Sequence, residues 1–282
     1  MPTQPVIAVT GSTGAVGGRV ARDLAARGIP QRLLVRDASR APELAGAEVR
    51  VAGYFDADAA AAALAGIETL FMVSASESAD RVEHHRTFVE AAARAGVRSI
   101  VYTSFLAAAP DAVFTLGRDH AATEEIIRAS GMSWTFLRDN FYMDMMELFA
   151  GDDGVIRGPA GDGRCSLVSR SDVAATAVAV LLDPATHTDT AYDLTGPEAL
   201  TLAEVAEKIS AVRGHPVRYL DETLDEAYAS RAVYGAPPWQ VDAWVSTYTA
   251  IASGDLARVS GDVEAVTGRP AQSFDEFLGA IA

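Results

Sequence analysis

The stretch VIAVTGSTGAVGGRVARDLAARG, residues 6–28, decides how the rest of the chain is read. A short apolar run leads into a glycine-rich bend, and a helical pattern begins inside the bend. Gly11-Ser12-Thr13-Gly14-Ala15-Val16-Gly17 has the GxxGxxG spacing of a phosphate-holding loop. In such a loop the first glycine permits the tight turn, the second lets the backbone approach a pyrophosphate, and the third lets the helix pack closely on the strand. Free N–H groups in the first helical turn then face the negative charge. A plain strand–helix turn is the competing reading. Three glycines at this spacing in a first strand–helix–strand unit favour a dinucleotide, held by the loop from Gly11 through Ser12 to Gly17.

Outward from the bend, strand-like runs alternate with helical ones. The runs VIAVT (6–10), QRLLV (31–35), AEVRVA (47–52), TLFMVSA (69–75), SIVYTS (99–104) and SWTFLR (133–138) read as strands. AVGGRVARDLAARG, ADAAAAALAG, ADRVEHHRTFVEAAARAG and GRDHAATEEIIRASG read as helices, each ending in a glycine placed as a C-terminal cap. Apolar strands separated by helices predict an α/β fold, a doubly wound parallel sheet covered on both faces. The regularity fades after Arg138. SLVSRSDVAATAVAVLL (166–182) reads as a short strand, an Asp172 helix cap and an apolar helix, and AYDLTG (191–196) as another strand. The pattern predicts a nucleotide-binding domain over 1–138, with 166–195 returning to it. A smaller C-terminal α/β lobe, the substrate-binding one, is made of 139–165 and 196–282.

The end of the second strand selects between nucleotides. An acid there would hold the ribose hydroxyls of NAD, whereas LLVRD places Arg36 at the strand end and Asp37 one step later. The planar fork of an arginine matches the 2′-phosphate of NADP, so NADPH is expected in preference to NADH. A solvated Arg36 with Asp37 reaching back to a ribose is the alternative. Ligands of such sheets lie beyond the carboxyl ends of the strands. That rule adds Phe55 and Asp56 after the third strand, Ser74, Ala75 and Ser76 after the fourth, and Thr103 and Ser104 at the end of the fifth.

The totals set outer bounds. Lys+Arg 23 against Asp+Glu 38 gives a net charge of −15, a surface that repels nucleic acid and anionic membranes. Cys165 is the only cysteine, so no internal disulfide forms, and a small buried hydrophobe is the expected role. MPTQPVIAV has no basic segment followed by a long apolar one, and the apolar tracts are too short to span a bilayer, so a soluble cytoplasmic protein is expected. His84 and His85 have no third ligand nearby, and no metal is expected. One of the two should pack toward the sheet and the other meet solvent.

VTGSTGAVG, LLVRD, FMVSASES, EHHRTFVEAAARAGVRSIVYTS and HAATEEIIRASGMSWTFLRDNFY together resemble the NmrA-like group of atypical short-chain dehydrogenases. That group includes NADPH-dependent quinone oxidoreductases and triphenylmethane reductase. The resemblance continues more weakly through GRCSLVSRSDVAA and AYDLTGPEALTLAEVA. It implies an NADP-binding Rossmann domain, a smaller lobe and a substrate cleft between them. It also implies that Gly11, Thr13, Gly14, Ala15, Val16 and Arg36 contact the cofactor and that Ser74–Ser76 and Thr103 line its nicotinamide side. Asn140, Phe141 and Tyr142, with Phe105, would border the substrate.

One departure bears on chemistry. Ordinary short-chain dehydrogenases carry Tyr-x-x-x-Lys, but LGRDHAATEE has Leu116 in the tyrosine's place and His120 in the lysine's. Reduction of a ketone leaves a basic alkoxide that needs a nearby acid. A quinone accepting hydride becomes a delocalised, weakly basic hydroquinone anion, for which positioning can suffice. The expected function is therefore hydride transfer from NADPH to a quinone or similar conjugated, aromatic acceptor. The alternative is a non-catalytic NADP-binding redox sensor. His120 is the polar candidate for catalysis, against the reading of a surface histidine beside Asp119 and Glu124. The methionines of FYMDMMELF suit a flat acceptor or plain core. Trp239 and Trp244 suit packing within the small lobe or an oligomer contact, which leaves room for a homodimer.

Overall fold

The computed structural model describes residues 6–281. The chain begins β1 (Ile7–Thr10), α1 (Ala15–Ala26), β2 (Gln31–Val35), β3 (Ala47–Val51), α2 (Ala57–Leu64), β4 (Thr69–Met72), α3 (Arg81–Arg94), β5 (Ser99–Phe105), α4 (Thr115–Ala129) and β6 (Ser133–Asp139). It continues α5 (Met143–Phe149), β7 (Val155–Gly158), β8 (Arg164–Cys165), α6 (Arg170–Leu182), β9 (Thr190–Leu194), β10 (Leu200–Thr201), α7 (Leu202–Arg213), β11 (Arg218–Asp221), α8 (Leu224–Arg231), α9 (Pro238–Ser253), α10 (Asp262–Thr267) and α11 (Phe274–Ile281).

The expected doubly wound sheet is present, in the order β3-β2-β1-β4-β5-β6-β9. β1 pairs in parallel with β2 and β4, β2 with β3, and β4 with β5. Strand order therefore reverses between β1 and β4, and a ligand crevice belongs outside the carboxyl ends at that point. β1 and β4 are buried at every position, which explains their lack of polar alternation. The first strands and helices fall where the sequence pattern puts them, and each of the first four helix-ending glycines has positive φ. β4 is the exception: it stops at Met72 rather than Ala75, because the next three N–H groups are taken by side chains instead of a neighbouring strand.

Two compact units divide the chain. Of the described residues, the first holds those up to Ser104, Asp119–Arg138 and Val173–Tyr192; the second holds Phe105–Arg118, Asp139–Asp172 and those from Asp193 onward. Residues 105–118, 166–172 and 193–195, grouped with the first domain by the sequence pattern, thus lie in the second unit. Unit 1 is cored by Leu70, Met72, Phe88, Ile100, Tyr102 and Phe136 and their neighbours.

Unit 2 carries two small sheets that alternation alone did not reveal. β7 pairs in parallel with β11, and β8 antiparallel with β10. Its core gathers Met143, Met146, Cys165, Ile209, Ile251 and Phe274, so two of the methionines are plain core. The glycine-rich 158–165 segment has a packing cause. A Cβ on Gly158 would stand 2.2 Å from the Tyr248 ring, and one on Gly163 2.3 Å from the Ile251 carbonyl oxygen, both on α9. α6 is capped by Ser169, whose Oγ accepts from Asp172 N at 3.1 Å; Asp172, expected as the cap, sits in the first turn. Its buried carboxylate accepts from Gln272 N and pairs with Arg269 at 3.2 Å. Among the described residues no helix is long and apolar enough to cross a membrane.

Candidate functional site

The glycine bend has the geometry that its spacing requires. Gly11 has φ +62°, and Gly14 N donates to Gly11 O at 2.8 Å to close the turn. A Cβ on Gly17 would stand 2.4 Å from the Gly11 carbonyl oxygen, so no side chain fits between α1 and the end of β1. Gly14 is the N-cap of α1, and no side chain caps the helix. The N–H groups of its first turn are left for an external acceptor. Thr13, Gly14 and Ala15 are exposed at this end, while Ser12 and Val16 are buried. The Ser12 hydroxyl has no hydrogen-bond partner among the described residues.

A cavity of about 480 Å³ opens at the carboxyl ends of β1–β4, where strand order reverses. Of the residues expected there, Gly11, Thr13, Arg36, Phe55, Ser74, Ala75 and Ser76 line it. Arg36 is exposed at its rim and makes no ion pair or hydrogen bond among the described residues. Asp37 is engaged elsewhere. Its carboxylate accepts from Ser39 N at 2.9 Å and from Ser39 Oγ at 2.7 Å, bonds that lower its pKa and tie it into its own turn. Phe55, 69% exposed, stands 6.1 Å from the ring of His84 at the same rim. Asp56 does not line the cavity: its carboxylate accepts from Ala59 N and caps α2. Tyr54 was not anticipated. Its hydroxyl lies 2.6 Å from both Thr10 Oγ1 and the Val73 carbonyl, fastening the ends of β1 and β4 to the segment after β3.

Behind the wall formed by residues 73–78 lies a buried polar cluster. Val73 N donates to Thr10 Oγ1 at 2.9 Å, Ser74 N to Thr103 Oγ1 at 2.8 Å, and Ala75 N to His85 Nε2 at 2.9 Å. Thr103 therefore supports the wall. Arg81 Nε donates to the Ala75 carbonyl at 3.0 Å, and Arg81 NH2 lies 3.2 Å from His120 Nε2. His120 Nδ1 lies 3.0 Å from the Tyr102 hydroxyl. His120 is thus neither on the surface nor in the cavity lining; it is 7% exposed and locked into this cluster. Burial and then the Arg81 charge hold its pKa well below the usual histidine range. The same causes bring His85 down to about 3. His85 packs inward with no exposure while His84 lines the cavity, the division expected of the pair.

The substrate candidates lie in unit 2. Phe105, Phe114 and Phe141 form an aromatic cluster with ring centroids 4.8 to 5.2 Å apart. Asn140 is occupied by the fold. Its Nδ2 donates to Ser166 Oγ at 2.9 Å and to the Leu256 carbonyl at 3.0 Å, and its Oδ1 accepts from Phe141 N at 2.8 Å. Cys165 Sγ also donates to Asn140 Oδ1, at 3.3 Å, and burial pushes this thiol's pKa up. Tyr142, half-buried, donates from its hydroxyl to Asp139 Oδ2 at 2.6 Å, under the Arg170 guanidinium at 4.7 Å from its ring. Asp139 is 2% exposed, and its Oδ1 lacks a partner among the described residues. Burial raises its pKa to about 8.

Arg81, and the hydrogen-bonding role of His85, escaped the sequence reading although a signal was present. Residues 81, 85, 88 and 92 share one helical face, and Phe88 and Ala92 mark that face as buried. A charged and a polar residue on such a stripe imply buried partners.

A family model described as NAD(P)H-binding matches residues 11–184. Over 282 residues the chain is 36% identical to the NAD(P)H azoreductase of Xenophilus azovorans, covering 98% of each chain. The structure of an Escherichia coli NADPH-dependent quinone oxidoreductase complexed with NADPH superposes with TM-score 0.88 at 31% identity, over 98% of this chain and 99% of that one. The Citrobacter sp. triphenylmethane reductase complexed with NADP(H) gives TM-score 0.86 at 29% identity, over 98% of this chain and 100% of that one. The last two are the reductase groups that the sequence motifs resemble.

Proposed function

This chain belongs to the NAD(P)H-binding family, and we propose that it is an oxidoreductase that passes hydride from NADPH to a quinone or similar conjugated aromatic acceptor. One observation carries the reading: an uncapped helix N-terminus and an unpaired arginine meet at one cavity where the strand order reverses. The first turn of α1 would take the pyrophosphate, and Arg36 the 2′-phosphate. Phe55 would border the adenine, and Ser74–Ser76 the far end of the nucleotide. With Asp37 bound to Ser39, the acid that would hold the ribose hydroxyls of NADH is otherwise engaged. The full-length likeness to an azoreductase and a quinone oxidoreductase supports the acceptor class.

The bound cofactor would supply the hydride; the protein's own part is positioning and exclusion. His120 is held neutral within the cluster behind the wall, so a quinone fits better than a simple ketone. Hydride addition to the quinone gives a hydroquinone monoanion, which takes its proton from solvent. Phe105, Phe141 and Tyr142 would border the acceptor, with the Asn140 side chain holding the Phe141 backbone N–H.

The test is NADPH oxidation followed optically with a panel of quinones and azo dyes. Turnover is expected, with NADPH bound more tightly than NADH. Arg36→Ala should erase most of that preference, a loss of about tenfold or more from removing a charge-assisted contact. Tight binding with no consumption of NADPH would reject the enzyme and favour the redox sensor.

A further inference from the structure

The strand that feeds the nucleotide cavity leaves its sheet in an uncommon manner. At Val73, Ser74 and Ala75, three successive N–H groups are each taken by a side chain from a different element: Thr10 of β1, Thr103 of β5 and His85 of α3. The two threonines act at the sheet itself. His85 reaches one residue further, and Arg81 takes the carbonyl of that same residue. We propose that Arg81 and His85 are the positioning residues of the nucleotide site, clamping both peptide groups of Ala75 so that the wall from Ser74 to Ser78 is preset for the dinucleotide. This rests on the reading of the cavity given above.

Hydrogen positions follow from the donors. Ala75 N–H points at His85 Nε2, so that nitrogen is bare and the ring hydrogen sits on Nδ1. Nδ1 donates to Thr123 Oγ1 at 2.8 Å, and Thr123 donates onward to the Asp119 carbonyl at 2.7 Å. Arg81 likewise donates to His120 Nε2, leaving Nδ1 of that ring to donate to the Tyr102 hydroxyl. Each ring is therefore neutral, and a second proton on His85 would set N–H against N–H at Ala75. The groups around His85 oppose that proton or are uncharged. They are Arg81 and His84 on α3, Tyr54 after β3, Tyr102 on β5, and His120 and Thr123 on α4. The carboxylate of Asp119, 3.7 Å from Arg81, faces the guanidinium. A wall fixed before binding spares the ligand the entropy of ordering it, so the clamp acts on affinity.

The experiment is direct titration of the full chain with NADPH, read by nucleotide fluorescence, alongside steady-state turnover with a quinone. His85→Ala should weaken NADPH binding about tenfold, as loss of one buried hydrogen bond allows, with kcat at saturating NADPH changed by no more than about twofold. His85→Gln, whose amide oxygen can accept where Nε2 does, should recover most of the affinity. Arg81→Lys keeps the charge without the fork and should fall between them. Unchanged affinity in His85→Ala would overturn the clamp, as would equal losses in the alanine and glutamine variants. If the alanine variant does not fold, wild-type affinity in Arg81→Lys overturns it instead. Wild-type chain that fails to bind NADPH would sink the cavity reading, and the clamp with it, whereas wild-type binding with unaffected variants sinks the clamp alone.

Discussion

The two units treat buried polarity in opposite ways. In unit 1, His85 and His120 are buried neutral with both ring nitrogens engaged, and the buried Glu124 accepts from Arg128, Arg138 and Ser104. In unit 2, Asp139 is as deeply buried, yet among the described residues one of its oxygens has no partner and its only side-chain donor is a tyrosine. The first arrangement fixes the wall of a cavity. The second keeps a carboxyl protonated near neutrality. A satisfied network resists acid badly, because its histidines must stay neutral, whereas an unsatisfied acid resists base badly.

Steric contrasts should give the largest effects. Gly17→Ala drives a methyl into the Gly11 carbonyl, and Gly158→Ala drives one into Tyr248. Each should cost on the order of 1–3 kcal/mol by overpacking, seen in denaturant melts. Only Gly17→Ala should also abolish NADPH binding; equal loss of binding in both variants would break the contrast.

Acidity should separate the units next. His85 has a folded pKa near 3, below the ordinary 6.5, so its contribution is present above about pH 6.5 and lost as pH falls. That loss amounts to about 2 kcal/mol by pH 5. Asp139 has the opposite sign. Its folded pKa near 8 lies above the ordinary 3.8, so the folded chain keeps a proton that the unfolded chain gives up, and stability falls as pH rises from about 4 to 8. Asp139→Asn should accordingly stabilise the chain by roughly 1–3 kcal/mol at pH 8 and by progressively less toward pH 4. Melts of the wild type and this variant across pH 4–9 would read both slopes, and parallel curves for the two proteins would contradict the assignment. The smallest effect concerns a helix end. Asp56→Ala should cost about 1 kcal/mol as a lost cap and leave NADPH affinity unchanged; weakened binding would return Asp56 to the cofactor.

Unit 1 was legible because its rules are local. A glycine spacing, a strand that is apolar throughout and a glycine at a helix end each declare themselves within a few residues. The places where that reading slipped involve partners far along the chain. β4 ends early because Thr10, Thr103 and His85 compete for its N–H groups, and the exposed Asp56 caps α2 and does not line the cavity. In unit 2 such long-range determinants dominate. Gly158 and Gly163 are small because Tyr248 and Ile251 of α9, far along the chain, pack against them, and β7 likewise meets β11 across a long gap. Asn140 looked like a substrate contact by its motif, but its amide is filled by Ser166 and Leu256, which no spacing rule connects to it. The aromatic cluster of Phe105, Phe114 and Phe141 was half visible: Phe141 lies in a motif of the family resemblance and Phe105 was named as a substrate candidate just past the fifth strand run, while Phe114 sits in an irregular loop.

Cys165 gives these differences a clock. The residue is 1% exposed, and its thiol pKa is raised by burial. An alkylating reagent can therefore reach it only during excursions in which this part of unit 2 comes apart. With no second thiol to confuse the signal, the labelling rate of the untouched protein reports how often that happens, and NADPH added to the same reaction tells whether filling a cavity in unit 1 slows it.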